Sequence, residues 1–195
     1  MDDSVMGAMA RWPNVPAVYG WLSLDRRGRW CLQGEPVFHR GVIDFMNRNY
    51  DCTADGEWYF QNGPQRAFVD LDYTPWIYSL DGSRNLVDHA GSTVSKLHGV
   101  WLDEEGNLLL LGERGIGLLC DRDLAPMSEY LRLCDGAAGD QDSIARLIQA
   151  PITAKRDRVY LAWNDERFEV KTLLRNQVAG EFGFDPMPRA RDDGG

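Results

Sequence analysis

Two stretches of this 195-residue chain carry the same pattern. Residues 20–35, GWLSLDRRGRWCLQGE, align with residues 98–113, HGVWLDEEGNLLLLGE, after a shift of 78 positions. Six of the 16 aligned positions are identical. Two unrelated segments of this length would agree at about one position, so the pattern indicates an internal duplication. A duplicated chain must fold into two versions of one structural unit.

The shared positions predict a hairpin in each copy. Asp25 and Gly28 in the first copy correspond to Asp103 and Gly106 in the second. Asp at the first and Gly at the fourth position favour a type I turn, so we expect the flanking runs to pair as strands. The first hairpin alternates apolar and polar residues, whereas residues 108–111 are all leucine. The second hairpin is therefore expected nearer the centre of its sheet, buried on both faces.

A helix and a second hairpin follow in each copy. The first helix is predicted from the spacing of Phe38, Val42, Phe45 and Met46, with its end at Asn49 or in the Asp-rich stretch that follows. The second is predicted from Leu124, Met127, Tyr130, Leu131 and Cys134, with Asp121 or Asp123 as N-cap. The closing hairpins are residues 58–71, with a turn at 61–64, and residues 159–170, with a turn at 164–165. An insertion at 136–156 is expected to form a short helix bearing Ile144, Leu147 and Ile148.

These elements predict an α+β fold with two tandem hairpin–helix–hairpin repeats packed with pseudo-twofold symmetry. Residues 13–84 form the first predicted repeat and residues 85–178 the second, joined through a polar linker at 81–95. Residues 1–12 and 179–195 are expected to be flexible ends.

The composition excludes several classes of function. The chain has 21 Lys and Arg residues against 30 Asp and Glu, a net charge of −9, and no basic run. Nucleic-acid binding is not expected, because it depends on clustered positive charge. No apolar stretch approaches the ~20 residues of a membrane span. Four cysteines lack Cys-x-x-Cys or Cys–His spacing, so we expect a reducing, cytoplasmic location, no metal site and no cofactor.

The sequence resembles two families. The run RWPNVPAVYGWLSLDRRGRWCLQGEPV, followed by DGEWYFQNGPQRAFVDLDYTPW, resembles a family of uncharacterised bacterial proteins, mostly proteobacterial, over residues 11–80. The pattern G-x-W-x-x-x-G-x-P at residues 28–36 is similar to a second family of unknown function. That resemblance implies a fold of repeated α/β motifs and a signalling or ligand-binding role. Neither resemblance implies catalytic residues.

Aromatic residues beside polar ones suggest a binding surface. The segments 58–60 and 76–78 bring Trp58, Tyr59, Phe60, Trp76 and Tyr78 into two nearby strands. Residues that alternate along strands cannot all face one core, so some should be exposed or should line a groove. The alternative is that both faces of the sheet are covered. The predicted binding residues are Trp58, Gln61, Asn62, Arg66, Trp76 and His39.

An enzymatic alternative uses His39 with a carboxylate. His39 could pair with Glu35 or Asp44, or could simply cap the helix that follows it. Asp70 and Asp72 lie two residues apart on a predicted strand, where they could act in acid–base chemistry or form a solvated face. No catalytic residue is assigned.

The sequence therefore favours a non-enzymatic module that binds a small molecule or a protein partner, with a homodimer left open. The alternatives are a small hydrolase that uses His39 with Asp70 or Asp72, and a structural subunit that docks onto a larger complex.

Overall fold

The computed structural model describes residues 1–12, 15–133, 135–139 and 158–190, which form two mixed β-sheets and four α-helices. The helices are α1 Asp3–Arg11, α2 Arg40–Arg48, α3 Leu124–Ser128 and α4 Arg175–Phe182, with a 3₁₀ turn at Asp121–Asp123. The first sheet contains β1 Val18–Leu24, β2 Trp30–Leu32, β3 Glu35–Pro36, β4 Tyr50–Cys52, β5 Trp58–Asn62 and β6 Gln65–Leu71. The second contains β7 Trp76–Leu80, β8 Leu86–Asp88, β9 Leu97–Leu102, β10 Leu108–Gly112, β11 Gly115–Leu119, β12 Leu131–Leu133, β13 Val159–Trp163 and β14 Glu166–Thr172. The predicted α+β class is confirmed.

The two sheets have closely related strand orders. The first runs β3-β2-β1-β6-β5-β4 and the second β12-β13-β14-β9-β10-β11-β7-β8. When strands β1 to β6 are matched in chain order with strands β9 to β14, each strand of the first set has the same neighbours as its counterpart in the second. Leu22 pairs with Leu32 in the first sheet, and Val100 pairs with Leu110 in the second. β1 pairs in parallel with β6, and β9 pairs in parallel with β14, so the parallel pair lies at the same point of the strand order in both sheets.

Both predicted aspartate turns are present. The amide of Gly28 donates to the carbonyl of Asp25, and the amide of Gly106 donates to that of Asp103, each at 3.0 Å. Each aspartate carboxylate also accepts two backbone N–H bonds at 2.8–2.9 Å from residues two and four positions later. Asp81 forms a third turn of the same kind, although sequence analysis assigned that segment to a linker. A carboxylate that satisfies the amides of its own turn fixes the hairpin locally.

The chain divides into two compact units. The described part of unit 1 comprises residues 1–12, 15–75, 89–91 and 182–190. In this unit, α2 packs on one face of the first sheet, where the rings of Phe45 and Phe60 lie 5.6 Å apart. The indole of Trp30 is buried and donates to Asn47 Oδ1 at 2.7 Å.

Unit 2 comprises residues 76–88 and the described residues between 92 and 181. Its core follows β10, in which Leu109 and Leu110 are completely buried. The expectation that the leucine run is buried on both faces is therefore confirmed, since β10 lies between β9 and β11 in the interior of the sheet.

The chain ends are more structured than the sequence indicated. Residues 1–12, expected to be flexible, contain α1, which buries Val5. The segment after α4, expected to be a flexible tail, lies on unit 1, where the amide of Leu71 donates to the carbonyl of Pro186 at 2.8 Å. Gly56 has a φ of +80°, and a side chain there would collide with the backbone of Gly183 and Phe184.

Other elements differ from their predictions. Part of the predicted linker is β8, which pairs with β7, so unit 2 begins at Trp76 rather than residue 85. The second predicted helix is shorter, because Leu131 enters β12 instead of continuing α3. Phe38 is 84% exposed and takes no part in the core face of α2. Cys134 and the insertion helix at Ile144–Ile148 fall outside the described residues. None of the described helices combines the length and hydropathy of a bilayer span.

Candidate functional site

The β5–β6 hairpin places Gln61 and Arg66 directly opposite each other on one face of the first sheet. Directly opposed residues on antiparallel strands have side chains close enough to interact. Here the Nε of Arg66 donates to Oε1 of Gln61 at 3.3 Å. The pairing register of β5 and β6 therefore brings Gln61 and Arg66 together as a polar pair in a hairpin that is otherwise rich in aromatic residues.

The side chain of Gln61 is buried and held at both ends. Its Nε2 donates to the carbonyl of Gly63 at 2.9 Å, which leaves Oε1 to accept from Arg66. The orientation of the amide follows from this hydrogen-bond network. A buried amide with both ends satisfied is a rigid support for the guanidinium.

The Arg66 guanidinium is also stacked on an aromatic ring. Its central carbon lies 4.5 Å from the ring centroid of Tyr59, the geometry of a cation–π contact. Burial raises the pKa of the Tyr59 hydroxyl, and Asp51 raises it further, while the charge of Arg66 acts in the opposite direction. Within the described part of the chain, no carboxylate forms an ion pair with Arg66.

A pocket of about 360 Å³ opens beside this pair. Its polar lining is Gln61 and Arg66, and its apolar lining is Met9, Trp12, Val15, Ala17 and Pro64. Ligand pockets commonly combine an apolar lining with a few fixed polar groups, and this volume lies near the lower end of their range. The arrangement suits a small molecule with one polar group and an apolar body.

The wall formed by α1 is attached at its N-terminal end. The backbone N–H of Asp2 donates to Oδ1 of Asn49 at 2.7 Å, and its carboxylate pairs with Arg48 at 3.2 Å. The hydrogen bond from Arg48 is the main reason that the pKa of Asp2 is lowered. Asp2 therefore sets the position of α1, whose other end supplies Met9 to the pocket.

A family model described as "Protein of unknown function (DUF2946)" matches residues 1–189. The chain belongs to this family. A DUF1285 family protein from Silicibacter pomeroyi DSS-3 has a similar structure, with a TM-score of 0.53 and 12% identity over 89% of this chain and 97% of that chain. A DUF1285 family protein from Shewanella baltica OS155 has a TM-score of 0.42 and 15% identity over 54% of this chain and 88% of that one. At these identities the first likeness shows the fold alone.

No curated protein matches the chain. The family match and the similar bacterial structure confirm the resemblance to an uncharacterised bacterial family. Membership of that family assigns no activity to the pocket.

The structure brings together two of the six predicted binding residues, Gln61 and Arg66. Trp58 and Asn62 lie on the opposite face of β5 from Gln61, because successive side chains of a strand point to opposite faces. On that face, the ring centroids of Trp58 and Tyr50 are 4.8 Å apart. Trp76 belongs to unit 2, is buried, and donates its indole N–H to the carbonyl of Arg114 at 2.8 Å. The expectation that Trp76 lines a groove is thus corrected.

The aromatic cluster as a whole is covered rather than exposed. Tyr59 and Tyr78 are buried, and Trp58 and Phe60 are half-buried. On the Arg66 face, the ring of Tyr19 stacks on Phe68 at 4.5 Å. These contacts agree with the alternative in which both faces of the sheet are packed.

The residues of the hydrolase hypothesis have other partners. His39 is the N-cap of α2, and its Nδ1 accepts from the amide of Val42 at 3.3 Å. The Asp70 carboxylate accepts from Arg189 at 2.8 Å, and Asp72 lies just beyond the end of β6. His39 therefore has the capping role that the sequence left open.

Sequence analysis missed the residues that α1 contributes to the pocket. A signal was present, because Asp2 precedes Val5, Met9 and Trp12 at the spacing of one helical face. The signal was weak because Gly7 interrupts the segment and only nine residues are helical.

Proposed function

We propose that this protein is a non-enzymatic ligand-binding module and that its small-molecule site is the Arg66 pocket. The observation that carries the proposal is the Arg66 guanidinium, which Gln61 and Tyr59 hold at the pocket and which pairs with no carboxylate of the described residues. A positioned cation in a partly apolar cavity is a common means of fixing the orientation of a ligand.

The lining favours binding over catalysis. Its described residues are Met9, Trp12, Val15, Ala17, Gln61, Pro64 and Arg66, and none of these has a Ser, Cys, His or carboxylate side chain. Nucleophilic and general acid–base catalysis draw mostly on those side chains. The pocket therefore has groups that hold a molecule and lacks the common groups that transform one.

A thermal-shift screen against small metabolites tests the proposal. A ligand at 100 times its Kd adds about 2.7 kcal/mol of stability, which raises the Tm by several degrees in a chain of this size. The shift should disappear in Trp12→Ala and persist in the control Trp21→Ala, since both indoles are 54% exposed and only Trp12 lines the pocket. Equal shifts in both variants would contradict the proposal.

We also propose that the chain arose by duplication of one hairpin–helix–hairpin unit. The support is the shared strand order of β1–β6 and β9–β14, the matching registers, and the equivalent turns at Asp25 and Asp103. The pseudo-twofold packing of the two copies stays a prediction.

A protein-interaction role is a second candidate, favoured by exposed apolar side chains in unit 1. Phe38 is the most exposed of these, and Leu32 and Val42 are also exposed. Exposed apolar residues can mark a contact with another protein, here a second copy of the chain. Light scattering after gel filtration would then give a dimer for the wild type and a monomer for Phe38→Ser. A monomeric wild type would argue against this candidate.

A cytoplasmic location completes the proposal. Among the described residues, Cys31, Cys52 and Cys120 are free thiols. Unpaired cysteines of this kind suit a reducing compartment. Fractionation of cells that express the tagged protein would test the location.

A further inference from the structure

We infer that the Arg66 pocket binds a small monocarboxylate with an apolar body, a ligand class that rests on the binding function proposed above. The inference comes from the one cation in the lining, the way that cation is held, and the apolar character of the remaining lining residues. Each of these observations restricts the ligand in a different respect.

The donors of Arg66 favour an oxyanion with two acceptor oxygens. Among the described residues, Gln61 uses its Nε, which leaves the two terminal nitrogens as donors. A guanidinium presents such donors as a fixed fork that matches two oxygens of a carboxylate or a phosphate. A ligand with a single neutral acceptor would satisfy only part of this fork.

The charge balance favours a monoanion over a dianion. Arg66 is the one cationic residue among the described residues that line the pocket, in a protein of net charge −9, while Arg11 stacks on Trp12, 5.4 Å from the ring centroid, and is not part of the lining. Moving a charge out of water is unfavourable unless an opposite charge compensates it. One guanidinium compensates a carboxylate, whereas a phosphate monoester would leave negative charge without a partner.

The rest of the lining favours an apolar body. Met9 and Val15 are aliphatic, and Trp12 presents an indole that is 54% exposed. A ligand that covers these side chains removes apolar surface from water, which is favourable in proportion to the area buried. Methionine adapts to ligands of different shape, so a linear and an aromatic body are both accommodated.

The support of Arg66 reduces the cost of binding. A free arginine side chain loses much conformational entropy when a ligand fixes it. Here Gln61 and the Tyr59 ring already fix the guanidinium before a ligand arrives. More of the carboxylate interaction then contributes to affinity.

Calorimetric titration with matched probes tests the ligand class. The carboxylates are hexanoate and phenylacetate, and the controls are hexanamide, phenylacetamide and phenyl phosphate. Because hydrogen bonds to charged groups are stronger than neutral ones, each carboxylate should bind at least about tenfold more tightly than its amide. Phenyl phosphate should bind more weakly than phenylacetate.

Variants at Arg66 identify the source of the preference. Arg66→Gln should reduce the carboxylate-to-amide ratio to about one, and Arg66→Lys should give an intermediate ratio because it keeps the charge without the fork. The matched control is Arg40→Gln, which makes the same charge change at a side chain that is 94% exposed and should keep the full ratio. Circular dichroism of each variant would confirm that it is folded.

The outcomes separate this inference from the function on which it rests. If the amides or phenyl phosphate bind as tightly as the carboxylates, and Trp12→Ala still weakens them, the pocket is a ligand site and the inferred class is wrong. A full preference for carboxylates in folded Arg66→Gln would also overturn the class. If no probe binds the wild type, the inferred class is wrong. If, in addition, every ligand from the metabolite screen shifts the Tm equally in Trp12→Ala and Trp21→Ala, the proposed function itself fails.

Discussion

Two hairpins of the molecule carry the same arginine–tyrosine stack in different surroundings. In β5–β6, Arg66 lies 4.5 Å from the centroid of Tyr59, and in β13–β14, Arg167 lies 4.7 Å from that of Tyr160. The residue opposite Arg66 is Gln61, whereas the residue opposite Arg167 is Ala162. Arg66 is half-buried, while Arg167 is exposed.

The difference shows what converts a structural contact into a candidate site. The arginine–tyrosine stack follows from the pairing register of the hairpin strands and is present in both hairpins. Only the first hairpin adds a buried amide that fixes the guanidinium, and only there does α1 supply a wall lined by Met9. A surface cation–π pair becomes a binding group once its surroundings hold it and shield it from water.

The largest predicted difference between the two sheets is at Leu32 and Leu110, which pair with Leu22 of β1 and with Val100 of β9. Leu110 is 0% exposed in the interior of the second sheet, and Leu32 is 52% exposed. Leu110→Ala should therefore lower the free energy of unfolding by about 2–5 kcal/mol. Leu32→Ala should change it by no more than about 0.5 kcal/mol. Urea denaturation measures both, and equal losses would break the comparison.

A smaller difference is expected between the two aspartate turns. The Asp103 carboxylate is buried and accepts from the amides of Glu105 and Asn107, so Asp103→Ala should cost about 1–3 kcal/mol. Asp25 makes the same bonds in a more exposed turn, where water can replace them. In thermal unfolding, Asp103→Ala should therefore have a lower Tm than Asp25→Ala. The reverse order would show that the ion pair of Asp25 with Arg29 outweighs burial.

Acid should weaken α1, the element that distinguishes the first hairpin. The pKa of Asp2 is lowered in the folded protein, chiefly by the hydrogen bond from Arg48. A carboxyl with a depressed folded pKa adds stability above its unfolded pKa and loses it as the pH falls through the folded value. The stability difference between wild type and Asp2→Asn should thus be present near neutral pH and shrink as the pH falls through and below the ordinary pKa range of an aspartate. A difference that does not change with pH would contradict this role.

The smallest predicted effect is on the titration of Tyr59. Burial raises the pKa of its hydroxyl, and the positive charge of Arg66 partly offsets that rise by stabilising the tyrosinate. Arg66→Gln should therefore raise the pKa of Tyr59 further. Absorbance titration of tyrosinate, with Tyr59→Phe to assign the signal, would measure the change. Arg40→Gln should leave the titration unaltered.

Local patterns in the sequence predicted much of the fold. The Asp-x-x-Gly turns, the leucine strand β10 and the strand Val159–Trp163 are all present, because their signals lie within a few neighbouring residues. The α2 helix ends at Arg48 with Asn49 as its C-cap, which agrees with the first of the two predicted ends. Such elements depend on turn chemistry and hydrophobic periodicity, which are visible in a single sequence.

The missed features depend on contacts between distant segments. β8 was read as part of a linker, since its strand character comes from pairing with β7 at the edge of a sheet. The pocket was only half predicted, because Gln61 and Arg66 share a hairpin while Met9 and Trp12 come from a helix fixed by Asp2. Trp58 was assigned to the site because an aromatic run does not reveal which face of the strand lines the pocket.

The way unit 1 is assembled also bears on synthesis at the ribosome. The ion pair of Asp70 with Arg189 joins residues 119 positions apart, and Gly56 lies against Gly183. Translation adds about 5–20 residues per second, so the first sheet leaves the ribosome several seconds before the segment that packs on it. During that interval unit 2 emerges while the first sheet still lacks residues 182–190. The nascent chain therefore completes its first unit last.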